Sequence, residues 1–166
     1  MREPVLSTYK ILKEKAFNSD INESWIDWAI EMMEAGYESN NLYELAGTTR
    51  PCNQFELQDL TNKVFKELNL DYSDKTKTLK NYVYFLLTSN TDKPEKYYKV
   101  LREFRDIYYE LDADPEYQEL ALLYWAKDDL IYSEVQHYWD GADRTNIDKI
   151  ISETFGKYIA KFEDRK

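Results

Sequence analysis

The sequence predicts an all-α fold, a single-domain compact bundle of about seven or eight helices. Three observations lead there. Apolar residues recur with a helical period along most of the chain, and no stretch alternates apolar and polar residues as a half-buried strand would. Only 4 Gly and 4 Pro occur in 166 residues, too few for a turn-rich β-sandwich, collagen or flexible linkers. No repeat of solenoid length recurs, so the helices are expected to pack as one domain over 1–166.

The first helix is expected over 4–17, with Pro4 in its first turn and Leu6, Tyr9, Leu12, Lys13 and Ala16 or Phe17 on one side. The second is expected over 21–36. Asp20 and Glu23 have capping-box spacing, Trp25, Trp28, Ala29, Met32 and Met33 follow at helical intervals, and Gly36 suits the residue after the last turn. A short helix over 40–46 begins after Ser39 and stops at Gly47. The fourth, over 54–68, starts from Asn53 and turns Phe55, Leu57, Leu60, Val64, Phe65 and Leu68 inward.

A fifth helix over 75–89 offers Leu79, Tyr82, Val83, Leu86 and Leu87. The sixth, over 94–111, carries Tyr97, Val100, Leu101, Phe104, Tyr108 and Leu111. Asp114 and Pro115 open the seventh as N-cap and first residue. Its core stripe, Leu120, Leu123, Tyr124, Ile131, Val135 and Tyr138, belongs to a helix running to about Trp139, with a bend expected near Asp128 and Asp129, and Asp140-Gly141 ends it. The last helix, over 146–163, follows Thr145 and has the clearest stripe: Ile147, Ile150, Ile151, Phe155, Tyr158, Ile159 and Phe162. Residues 163–166 are expected to fray.

Charge divides the chain more sharply than hydropathy does. The net charge is −10, from 22 basic and 32 acidic residues. Residues 18–60 hold 9 acids against one base, and 106–143 hold 11 against one; the stretch between them has 10 bases and 6 acids. Such an excess disfavours nucleic acid, whose phosphates need clustered Lys and Arg. Mean hydropathy is −0.74, and no apolar run is long enough to span a membrane. The N-terminus lacks a signal-peptide pattern, and Cys52 is the only cysteine, so the cytoplasm is the expected compartment. Packing of the basic helices against the acidic ones would neutralise both. An acidic face left open would suit a basic partner.

No catalytic or metal motif emerges, and no cofactor is expected. Phosphate-binding loops, Cys-x-x-Cys and His-Glu-x-x-His are absent. Glu134 and His137 have the Glu-x-x-His spacing of di-metal bundles, but such sites need two histidines and His137 is alone. Cys52 has no evident helper. The candidate partner-binding residues lie in the second acidic block. Trp125, Tyr132 and Trp139 recur every seven residues and share a side of the seventh helix with Asp128, Asp129 and Gln136. Aromatic side chains flanked by carboxylates suit an interface with a basic protein. Tyr98 and Tyr109, the outer members of two adjacent tyrosine pairs, are added because neighbouring helical residues cannot both face the core.

One segment has a familiar form. Trp28 to Gly47 reads as a helix ending in Gly36-Tyr37-Glu38-Ser39, then Asn41-Leu42-Tyr43-Glu44-Leu45-Ala46-Gly47, with Phe55-Glu56 and Glu67-Leu68 beyond it. It resembles a segment of small, acidic, all-helical bacterial proteins, a family without an assigned activity. The resemblance covers about 25–70. It implies a helical fold and no catalytic residue; Gly36 and Gly47 can each take the left-handed backbone after a helix. Small size, strong acidity and surface Tyr and Trp, rather than the resemblance, make the expectation a non-enzymatic acidic protein that occludes a basic protein partner, most concretely a toxin-immunity or nuclease-inhibitor protein. The alternative is a helical adaptor or structural module of another complex.

Overall fold

The computed structural model describes residues 2–49 and 53–166, and Cys52 lies outside them. The described residues form eight α-helices and no strand. The helices are α1 (Thr8–Ala16), α2 (Glu23–Glu34), α3 (Asn40–Ala46), α4 (Gln54–Glu67), α5 (Lys75–Asn90), α6 (Tyr97–Glu110), α7 (Gln118–Tyr132) and α8 (Ile147–Asp164). Short 3₁₀ turns, Pro94–Lys96 and Pro115–Tyr117, lead into α6 and α7. The chain divides into two compact units, Met1–Tyr82 and Val83–Lys166, with the division inside α5. Composition gives no sign of it, because helical periodicity reports that a face is buried and not which core buries it.

The first unit is built around Trp25, Trp28, Met32, Leu42, Leu45, Val64 and Phe65, all buried. The starts of α2, α3 and α4 are capped by side chains. Asn22 accepts the Ser24 N–H at 2.9 Å, Ser39 the Leu42 N–H at 3.0 Å and Asn53 the Phe55 N–H at 2.9 Å, satisfying amides that the first turn leaves free. The cap of α2 is thus Asn22 rather than Asp20. Pro4 lies before α1, and the buried face of α1 is Thr8, Ile11, Lys15 and Ala16 rather than the Leu6 stripe. Gly36 ends α2 with φ +87°, as its position requires, whereas Gly47 has φ −87° and needs no left-handed backbone. Asn18 (φ 55°) and Asn69 (φ 53°) take the left-handed place after α1 and α4.

The familiar segment has a structural rationale. Ser39 caps α3, and its hydroxyl and the Asn41 amide both donate to Glu67 at the end of α4. Tyr37 donates its hydroxyl to the Arg2 carbonyl at 2.8 Å. Phe55, expected inward, is 83% exposed; Met33 is exposed as well. The apolar stripe of α4 closes without Phe55, through Leu57, Leu60, Val64 and Phe65.

Lys15 is the unusual member of this unit. Its ammonium is buried and donates to the Gln58 side-chain carbonyl at 2.8 Å and the Thr61 hydroxyl at 3.1 Å. Burial lowers its pKa. The charged form therefore costs stability below the lowered value, and that cost fades as pH rises towards 10.5. Lys15→Met is expected to raise the melting temperature by a few degrees, about 1 kcal/mol, since an apolar isostere avoids the desolvation. Thermal melts at pH 7 and pH 9.5 check this: the gain should shrink at the higher pH.

In the second unit α6 turns Tyr97, Val100, Leu101, Phe104 and Ile107 inward, and α8 supplies Ile147, Ile151, Phe155 and Tyr158. Phe155 receives Tyr97 and Phe104 edge-on, at centroid distances of 5.4 Å and 5.6 Å. Asp114 accepts the Glu116 N–H at 3.0 Å before Pro115, as its N-cap role predicts. The last helix runs to Asp164, Arg165 pairs with Glu116, and the Lys166 ammonium sits 5.1 Å from the Tyr84 ring centroid.

Candidate protein-docking surface

The seventh helix ends at Tyr132, one full turn and more before the Trp139 that its pattern reaches. Side chains supply the reason. Arg144 donates its Nε–H to the Leu130 carbonyl at 2.8 Å, taking up an acceptor of the last turn. Gln136 then organises the following segment. Its amide nitrogen donates to the carbonyls of Trp139 and Ala142, and its oxygen accepts the N–H groups of Tyr138 and Trp139, both at 2.8 Å. Asp143 accepts from the Thr145 N–H (2.8 Å), its hydroxyl (2.6 Å) and the Asn146 N–H (3.1 Å), which holds its carboxyl below the usual range. Asn146 donates its amide to the Gly141 carbonyl at 2.8 Å. These bonds replace the helical ladder over 133–146.

The expected aromatic ladder is accordingly not one row. Trp125 and Tyr132 share a face of α7, and Trp139 lies beyond it, half-buried in the non-helical segment. Gln136 is not a helical neighbour of the acids, because both ends of its amide hold the loop. Tyr98 is half-buried and committed as well. Its ring stacks on Tyr124 at 5.7 Å, and its hydroxyl donates to Asp128 at 2.7 Å. That bond raises the phenol pKa. The Arg102 guanidinium lies 5.2 Å from the Tyr98 ring, and Arg105 lies 4.5 Å from Tyr124 and 5.7 Å from Trp125. Trp125 is half-buried against Tyr124 and Tyr138, at 5.0 Å and 6.3 Å. Tyr98, Trp125 and Asp128 therefore join α6 to α7.

What reaches water is a different set. Tyr132 is 79% exposed, Val135 59%, Ile131 46% and Tyr138 44%, all within eight residues. Tyr109, at the end of α6, is 58% exposed, as expected of it. Helical spacing puts Ile131, Val135 and Tyr138 in one core stripe with Leu120, Leu123 and Tyr124, and so misses their exposure. The earlier end of α7 was not signalled by Gly or Pro.

The acids of 106–143 are only partly neutralised. Asp106 pairs with Arg105 at 2.7 Å, and Glu116 with Arg165. Glu110, Asp112, Glu119, Glu134 and Asp140 are exposed, with no ion pair or side-chain hydrogen bond among the described residues; half-buried Asp129 likewise lacks a side-chain partner. His137 is exposed, and it and Glu134 lie in the non-helical segment rather than on one helix. No three His, Cys, Asp or Glu side chains come together to hold a metal ion among the described residues. A groove of about 210 Å³ between α3 and α4 bears Glu44 and Glu56 beside Thr48, Thr49 and Asn53. No histidine or lysine lines it among the described residues. Among those residues no helix is long and apolar enough to cross a membrane.

No family model, curated protein or solved structure matches this chain. The fold defines it as an all-helical protein, and its surface distinguishes it by the exposed aromatic and acidic end of α7.

Proposed function

We propose that this is a non-enzymatic acidic binding protein that occludes a basic protein partner. Its most concrete form is a cytoplasmic toxin-immunity or nuclease-inhibitor protein. One observation carries the reading: Glu110, Asp112, Glu119, Asp129, Glu134 and Asp140 make no ion pair among the described residues, and Tyr109 and Tyr132 are exposed in the same block. Leaving like charges unpaired costs stability, so their retention favours a role in recognition. A single-sign surface steers an oppositely charged partner and speeds association.

Purification of the tagged protein with its native partner tests the proposal. The partner should be basic, and binding should weaken steeply from low to high salt. Glu134→Lys with Asp140→Lys should slow association about tenfold and flatten the salt dependence, with dissociation little changed. Reversal at Asp128 is a poorer probe, because it also breaks the bond from Tyr98. A partner bound with no salt dependence would support the adaptor instead.

A further inference from the structure

We infer that Ile131, Tyr132, Val135 and Tyr138 are the apolar anchors of a docking patch, and that its occupant is a protein segment carrying apolar side chains flanked by Lys or Arg. The inference rests on the basic-partner reading and adds where, and by what contacts, such a partner would be held. Four large apolar side chains exposed within eight residues stand out from the scattered exposure normal on a surface.

The segment that carries them is built rather than loose. Gln136, Asp143, Arg144 and Asn146 tie it to itself and to α7. A preorganised segment loses little conformational entropy on binding, so its apolar contacts convert more fully into affinity. Tyrosine adds rigid contact area with a polar tip.

Charge selects the occupant. Asp129, Glu134 and Asp140 lie in the same stretch, and no Lys or Arg does between 128 and 143. A second copy docking patch to patch would bring these carboxylates together, and an anionic membrane would be repelled. A basic segment with an apolar face satisfies both features. Oligolysine would satisfy the charge alone.

Two peptides of equal charge separate these contributions: a helical peptide with leucine on one face and lysine on the other, and an oligolysine. Each is titrated into the full chain and followed residue by residue through its amide NMR signals. The amphipathic peptide should bind about tenfold tighter, with shifts centred on 131–142. Tyr132→Ala with Val135→Ser, both solvent-facing, should remove that advantage and leave oligolysine binding and the melting temperature unchanged. Equal affinity of the two peptides, an advantage that survives the double substitution, shifts centred elsewhere, or self-association through the patch would each overturn the inference. If oligolysine binds and the apolar face adds nothing, only the patch is lost. If neither peptide binds, the basic-partner reading falls with it.

Discussion

Trp28→Ala is expected to destabilise the first unit by about 3–5 kcal/mol, the usual cost of emptying a large aromatic site in a core. Trp28 is fully buried, and its ring meets Phe65 edge-on at 5.9 Å. Its indole N–H donates to the Thr8 hydroxyl at 2.9 Å, which in turn approaches the Met32 sulfur at 3.7 Å. Truncation leaves a cavity among α1, α2 and α4, and also leaves a fully buried threonine hydroxyl with a weaker set of partners. Domains of this size have about 5–15 kcal/mol in total, so the loss is a large fraction. Urea unfolding followed by circular dichroism measures it. Trp28→Phe should fall between the two, since it keeps most of the packing and loses the hydrogen bond. A loss under about 1 kcal/mol for the alanine variant would mean that Trp28 does not sit in a packed core.

Alkaline pH should unfold the second unit through two tyrosines. Tyr117 and Tyr158 are buried, with ring centroids 6.2 Å apart and planes at 22°. Tyr158 donates its hydroxyl to the Glu116 carbonyl at 2.6 Å. Burial, with Glu116 and Asp114 nearby, pushes the Tyr117 phenol up to about 12. Burial, with Glu119 and Glu116, raises Tyr158 too. Unfolded tyrosine ionises near pH 10, so above that pH the unfolded chain loses protons that the folded chain keeps. Stability is complete below about pH 10 and is lost as pH climbs towards 12, by about 2–3 kcal/mol for Tyr117 alone, with a further loss from Tyr158. Urea midpoints measured between pH 9 and 11.5 should fall steadily once pH 10 is passed. Tyr117→Phe and Tyr158→Phe should each flatten that fall, although each begins from a lower stability at neutral pH.

The sequence located every helix and several of their starts. Ser39, Asn53 and Asp114 act as caps where their short polar side chains predicted it. Buried stripes such as Trp25-Trp28-Met32 and Ile147-Ile151-Phe155 also came through, since helical spacing states burial directly. The candidate site was half legible. Tyr109 and Tyr132 are exposed as expected, while Tyr98, Trp125 and Asp128 are occupied in joining α6 to α7. Periodicity cannot separate a core-facing ring from a half-buried one held by a neighbouring helix. The row of Trp125, Tyr132 and Trp139 failed for a stronger reason: it assumed a continuous helix.

The linear chain by itself determined the helical class, the elements and the two acidic blocks, because period, capping chemistry and charge are local properties. Only the tertiary structure decided which acids lack basic neighbours and which aromatics reach water. The end of α7 shows why. Its helical pattern continues past Tyr132, but Arg144 reaches back to Leu130 and Gln136 gathers the carbonyls of Trp139 and Ala142. Hydrogen bonds between residues up to fourteen positions apart outweighed local periodicity, and they turned an expected buried stripe into an exposed patch.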